Sequence, residues 1–182
     1  EVHPNIEIDS MSGHSLGEYT ALVCASAIDI CDALKLVRSR GELMEKAENG
    51  SMSAILGMDT QDVINICKNI TNESTGVVNA ANLNSPLQTV ISGNTAEIEL
   101  AEEDCKAQGA KRAIRLNVSV ASHSELMRES ANLFSSILEE VDISSPQFKI
   151  YQNADAIANT DHNVIKDNLV KQLYMPVKWL SI

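Results

Sequence analysis

The chain has 182 residues and a mass of 19.7 kDa, with 14 Lys+Arg against 25 Asp+Glu for a formal net charge of −11. That length suits one ordinary domain, or one domain carrying a smaller insert. An acidic chain with only 3% aromatic residues lacks the positive footprint of a nucleic-acid binder, while 44% apolar residues suffice to build a core. No apolar run approaches the roughly 20 residues of a bilayer span. The opening Glu1-Val2-His3-Pro4 has no basic or apolar stretch of the signal-peptide kind. Cys24, Cys31, Cys67 and Cys105 are scattered without a C-x-x-C pair or a metal-ligand spacing. Cys24 and Cys31 fall in or near an apolar helical stretch, which predicts buried, reduced thiols and a cytoplasmic or organelle-matrix setting.

In chain order, an extended lead from Ile6 ends at Ser12-Gly13. A long helix follows, with Leu16, Tyr19, Leu22, Val23 and Ala27 at helical spacing. A second helix from Ile30 to about Ala47 carries Leu34, Val37, Leu43 and Met44, and Asn49-Gly50 stops it. Ser53–Gly57 reads as a strand and Thr60–Ile70 as a helix capped by Asp59 or Thr60. Val77–Ala81 and Gln88–Ser92 read as strands joined through Asn82–Pro86. Thr95 caps a helix that Gly109 ends near Gln108, and Ala113–Asn117 is a further strand. That order, βαββαβ, is the ferredoxin-like split unit. It predicts a small subdomain over residues 50–117, inserted into a larger α/β subdomain formed by 1–49 and 118–182.

In the larger part, a helix bearing Met127, Leu133, Ile137 and Leu138 follows Val118-Ser119-Val120-Ala121-Ser122-His123. A strand over Phe148–Tyr151, a polar loop through Asp161 and a helix over Asn163–Leu173 closed by Pro176 complete the pattern. The chain ends in a helix-like pattern and lacks an initiator Met, as expected of part of a longer protein.

The strongest local signal is Ser12-Gly13-His14-Ser15-Leu16-Gly17-Glu18-Tyr19, which contains G-x-S-x-G. In a nucleophile elbow the serine sits on a strained strand-to-helix turn, and flanking glycines let the chain approach itself without Cβ clashes. The helix that starts there presents unpaired N–H groups, so the Leu16 N–H can serve an oxyanion. The competing reading is a glycine-rich turn with a capping serine. A serine needs a base. Of the four histidines, His3 lies in the lead, His14 beside Ser15 should point away from it, and His162 is in the polar loop near Asp161.

The string Gly-His-Ser-Leu-Gly-Glu-Tyr resembles the signature of the acyltransferase family typified by malonyl-CoA:acyl carrier protein transacylases and polyketide-synthase acyltransferase domains. Val118–His123 resembles the family's V-x-S-H segment, with Ala121 in place of the usual proline, which implies His123 as the base for Ser15. Gln172-Leu173-Tyr174-Met175-Pro176-Val177 resembles its Q-L-Y-x-P-V segment, implying that the Gln172 backbone carbonyl orients His123. Arg40-Gly41-Glu42-Leu43-Met44 resembles R-G-x-x-M, 25 positions after Ser15. It implies that Arg40 binds the free carboxylate of a malonyl group.

The resemblance further implies a hydrolase-like parallel-sheet core and malonyl transfer from coenzyme A to carrier-protein phosphopantetheine through a serine ester. No metal or cofactor is implied, and the protein is expected to be a monomer bound to neither nucleic acid nor membrane. Family members are longer on both sides, and a segment that supplies the second oxyanion donor is missing here. The readings left open are a polyketide acyltransferase domain, an α/β-hydrolase-type esterase or thioesterase, and an inactive fragment. Lys106, Lys111, Arg112 and Arg115 are a candidate basic patch for anionic partners, and Asn82 and Asn84 are candidates to face the pantetheine arm.

Overall fold

The computed structural model describes residues 7–182, so His3 and the first part of the lead lie outside the described residues. It is a mixed α/β structure with two sheets. In the first, β1 (Ser10–Ser12) runs parallel to β6 (Lys149–Tyr151), and β7 (Ala158–Asn159) runs antiparallel to β6. Only one pair of this three-stranded sheet is therefore parallel, where a parallel core was expected. The polar loop hides β7, whose two residues are too short to display an alternating pattern. Around this sheet pack α1 (Gly17–Cys24), α2 (Ile30–Glu45), α5 (Arg128–Glu139) and α6 (His162–Lys171). Their apolar faces meet in one core containing Tyr19, Leu22, Leu36, Phe134, Ile150 and Leu169.

The second sheet has four antiparallel strands in the order β3-β4-β2-β5. These are β2 (Ser51–Leu56), β3 (Val78–Ser85), β4 (Gln88–Gly93) and β5 (Arg112–Arg115). The connecting helices α3 (Thr60–Glu73) and α4 (Thr95–Ala107) cover one face, enclosing Ile55, Val63, Ile66, Ile91 and Ile98. Strand alternation sends Met52, Ala54 and Val90 to the opposite face. The segment after α6 pairs with β3: Val177 N–H donates to Ala81 O and Leu83 N–H to Val177 O.

Several local expectations change. The first helix is short because Ala25 and Ser26 turn the chain. Ser26 has φ 55, its N–H donates to Val23 O, and Ala27 N–H reaches back to Leu22 O. This is a Schellman ending with serine in the place that glycine usually marks. Cys24, at the end of α1, and Cys31, in the first turn of α2, are exposed; Cys67 and Cys105 are the buried pair. Leu16, Leu34 and Leu133 are also exposed.

Asn94, not Thr95, precedes α4. The Asn94 amide oxygen accepts from Val77 N–H, and Thr95 Oγ1 pairs with Ser51 Oγ. Asp59 caps α3 through Gln61 N–H, while Thr60 Oγ1 donates to Ser85 O. Strand β3 runs on to Ser85, shortening the expected loop to Pro86-Leu87. His162 opens α6 beneath the Asp161 cap. That helix stops at Lys171, ahead of Pro176.

Candidate active site

Gly13 and Ser15 build the turn between β1 and α1. A Cβ on Gly13 would lie 2.0 Å from Gly17 O, so only glycine fits there. On Gly17 a Cβ would meet nothing within 4 Å, so the second glycine of the motif is not needed for close approach. Ser15 has φ 50, a left-handed backbone that costs energy for any residue with a Cβ. Side chains hold it in place. Ser15 N–H donates to Asn153 Oδ1 (2.6 Å), Asn153 Nδ2 donates to Gly13 O (2.9 Å), and Gln172 Nε2 donates to Ser15 O (3.1 Å).

Ser15 Oγ lies 2.9 Å from His123 Nε2, across 108 positions of sequence. His123 is buried and also left-handed, with φ 60. Its own N–H donates to Leu173 O, and its carbonyl accepts from Asn79 Nδ2 at 2.8 Å. His123 Nδ1 lies 2.6 Å from Gln172 O. A carbonyl can only accept, so Nδ1 carries the proton and the Nε2 lone pair faces the serine hydroxyl.

Pro176 explains why that carbonyl is free. In a continuing helix Gln172 O would accept from the N–H four residues on, and proline has none. Burial pushes the imidazole pKa down to about 4, helped by the nearby Arg40 charge and opposed by the Gln172 carbonyl. His123 is thus a neutral acceptor throughout the neutral range.

Arg40 lies buried on α2, and its Nη2 donates to Ser15 Oγ (3.1 Å) and to Gln172 Oε1 (3.4 Å). Its Nε is buried without an acceptor, and it forms no ion pair with a described carboxylate. A buried guanidinium without a counter-anion, in contact with a nucleophile candidate, is chemically suited to receive an acid group. The Leu16 N–H, at the start of α1, has no partner among the described residues. Ser15, His123, Arg40, Gln172 and Leu16 are thereby brought together.

His14 turns away from Ser15 Oγ as expected, with Nε2 2.9 Å from Asn84 Oδ1 and its ring against Trp179. Asn82 is buried beside Val177. Of the candidate basic patch, Arg112 and Arg115 sit on β5, the edge strand opposite β3 in the sheet order. Arg115 is also paired with Glu102 at 2.9 Å.

Sequence reasoning missed Asn79, Gln152, Asn153 and Glu18, which are polar groups buried or half-buried around the dyad. Asn153 and Gln152 follow β6 without any motif of their own. Glu18 adjoins G-x-S-x-G and reads there as an ordinary acidic residue of a first helical turn. Among the described residues, no group of three His, Cys, Asp or Glu could hold a metal ion. No described helix is long and apolar enough to cross a membrane.

Comparison with known proteins shows the family. The family model for the acyl transferase domain matches residues 6–180, and the chain belongs to that family. It is 46% identical over 182 residues to a malonyl CoA-acyl carrier protein transacylase of Haemophilus influenzae, covering 98% of this chain and 58% of that protein. A Staphylococcus aureus protein of the same name is 42% identical over 180 residues, covering 97% of this chain and 58% of the relative.

Among solved structures, the Coxiella burnetii malonyl CoA-acyl carrier protein transacylase superposes with a TM-score of 0.92 at 40% identity. That match covers 97% of this chain and 56% of the other. A type II PKS acyl-carrier protein in complex with its malonyl-transacylase gives a TM-score of 0.91 at 41% identity, covering 97% and 57%. The chain thus spans a little over half the length of these relatives.

Proposed function

We propose that this chain carries the acyl-loading site of an acyltransferase that moves a malonyl group from coenzyme A to the phosphopantetheine thiol of an acyl carrier protein in fatty acid synthesis. The observation that carries the reading is the three-way contact at Ser15 Oγ, with His123 Nε2 on one side and the unpaired Arg40 guanidinium on the other. In this reading Ser15 Oγ attacks the thioester carbonyl while His123 Nε2 takes the hydroxyl proton. The Oγ–C bond forms, the C–S bond breaks, and the proton passes to the departing coenzyme A sulfur. The carrier thiol then gives its proton to His123 and displaces Ser15, which recovers it. The Leu16 N–H stabilises the oxyanion. Arg40 holds the free carboxylate of the acyl group, and a plain acyl group would leave that cation unpaired.

The reading needs no cofactor, since malonyl-CoA is a substrate, and takes the protein to be a cytoplasmic monomer that binds no nucleic acid and no membrane. It also takes residues 50–117 as an inserted ferredoxin-like subdomain of a hydrolase-like core. The order β3-β4-β2-β5 with both helices on one face supports the first part of that view. A polyketide carrier is the second reading of the acceptor, favoured by the similarity to the transacylase in complex with a PKS carrier protein.

Incubation with labelled malonyl-CoA tests the proposal. A stable malonyl ester on Ser15, discharged by a phosphopantetheinylated carrier protein, is expected. Rapid release of free malonate would make the protein a hydrolase, and no adduct would make it an inactive fragment.

A further inference from the structure

Beneath the nucleophile lies a carboxylate that this reaction does not use. Glu18, in the first turn of α1, is fully buried. Three N–H donors converge on it: Gln152 Nε2 on Oε1 at 3.0 Å, and Asn153 N–H (2.8 Å) and Gln172 Nε2 (2.9 Å) on Oε2. Oε2 accepts two of these bonds and Oε1 one, roles that the ionised carboxylate fills without turning any donor. Burial raises the Glu18 pKa above the ordinary carboxylate range, and the bonds from Asn153, Gln152 and Gln172 oppose that rise without cancelling it.

The Gln172 side chain is the link between Glu18 and Arg40. Its Nε2 faces Glu18 and Ser15 O, while its Oε1 faces Arg40 Nη2. The two ends of an amide have nearly the same shape and opposite hydrogen-bonding character. An acceptor-only carboxylate at the Nε2 end therefore decides which end meets the guanidinium. Turned over, the amide would present N–H to a buried cation that already lacks an acceptor at Nε. Arg40 would then keep only Ser15 Oγ, which the acylated serine no longer offers as a hydroxyl.

We propose that Glu18 is a positioning residue for acyl-group selection: through the Gln172 amide it holds the Arg40 fork where the carboxylate of a Ser15-bound acyl group must lie. This rests on the malonyl-transfer reading. It assigns Glu18 an effect on which acyl group is accepted, beyond any effect on folding. A bidentate carboxylate contact depends on the orientation of the guanidinium as well as on its presence.

The test compares Glu18→Gln, Gln172→Met and the double variant of the full chain, with Ser15 acylation measured from malonyl-CoA and from acetyl-CoA. Methionine at 172 removes both amide ends and leaves the backbone carbonyl that meets His123. The malonyl-over-acetyl ratio of kcat/KM is expected to fall about tenfold or more in each single variant, with no further fall in the double.

A purely structural role would lower both acylation rates in proportion, and an unchanged ratio overturns the proposal. So does a double variant in which the two losses multiply. Should Glu18→Gln fail to fold, Gln172→Met alone decides: an unchanged ratio there breaks the link to Arg40. The malonyl reading fails separately, in the unsubstituted protein, if that shows no preference for malonyl-CoA.

Discussion

Around Ser15 the interior is polar, with Glu18, Arg40, His123, Gln152, Asn153, Asn168 and Gln172 all buried. Under the four-stranded sheet the interior is built mainly from Ile55, Val63, Ile66, Ile91 and Ile98, and the polar residues buried in that unit are mostly short hydroxyls such as Ser53, Thr60, Thr89 and Ser92. Backbone strain divides in the same way. Ser15, Ser26, His123 and Ala156 are the non-glycine residues with positive φ among the described residues, and none lies within 50–117. Buried polar groups demand partners, and left-handed residues demand a surrounding that over-determines them. At Ser15 and His123 both demands are met by the side-chain amides of Asn153, Gln172 and Asn79, whereas the sheet unit buries mainly apolar side chains and short hydroxyls.

Four experiments would break or sharpen this contrast. The largest effect is expected from His123→Ala, which removes the proton acceptor of Ser15 Oγ. The rate of Ser15 acylation should drop by about 10³-fold or more, measured as malonyl-ester formation, with the fold retained by circular dichroism. Retention of the normal rate would remove His123 from the mechanism.

Ile55→Ala acts in the other region. It should cost about 2–5 kcal/mol in urea denaturation while the acylation rate per folded molecule stays unchanged. A lower rate per folded molecule would mean that the two regions are not separable.

Arg40→Ala should lower malonyl acylation and raise acetyl acylation, shifting their ratio by about 10²-fold. An unchanged acyl preference would refute the role given to Arg40.

The smallest effect concerns pH. Folded His123 has its pKa lowered to about 4 from the ordinary imidazole value of 6.5, so between those values the unfolded chain binds a proton that the native state refuses. Its contribution to stability is therefore present above pH 6.5 and lost as pH falls toward 4. The acid limb of Ser15 acylation should likewise lie well below pH 6.5. A midpoint at the ordinary imidazole value would mean that His123 is more solvated than its burial implies.

The order of elements within 50–117 was legible because each strand and helix there has its own period, with β-branched runs bounded by Asn, Pro and Gly. The Ser15 elbow was legible because Gly13 is sterically compelled. His123, Arg40 and Gln172 were legible only through the resemblance, since nothing local ties them to Ser15. The Schellman ending at Ser26 escaped notice because serine occupies the αL position. Nothing local marks Glu18, because a first-turn acid is ordinary and its three donors come from positions 152, 153 and 172.

By itself the sequence determined the order of most strands and helices, which turn would be tight and which residue types were available for chemistry. These depend on backbone sterics and on neighbours a few positions away. Tertiary structure alone decided that a carbonyl released by Pro176 would meet His123, and that one glutamine amide would stand between a buried cation and a buried carboxylate. Those pairings join distant segments, His123 with Gln172 across 49 positions, Arg40 with Gln172 across 132 and Glu18 with Gln172 across 154. They exist because a buried polar group must find its partner wherever packing brings one within reach.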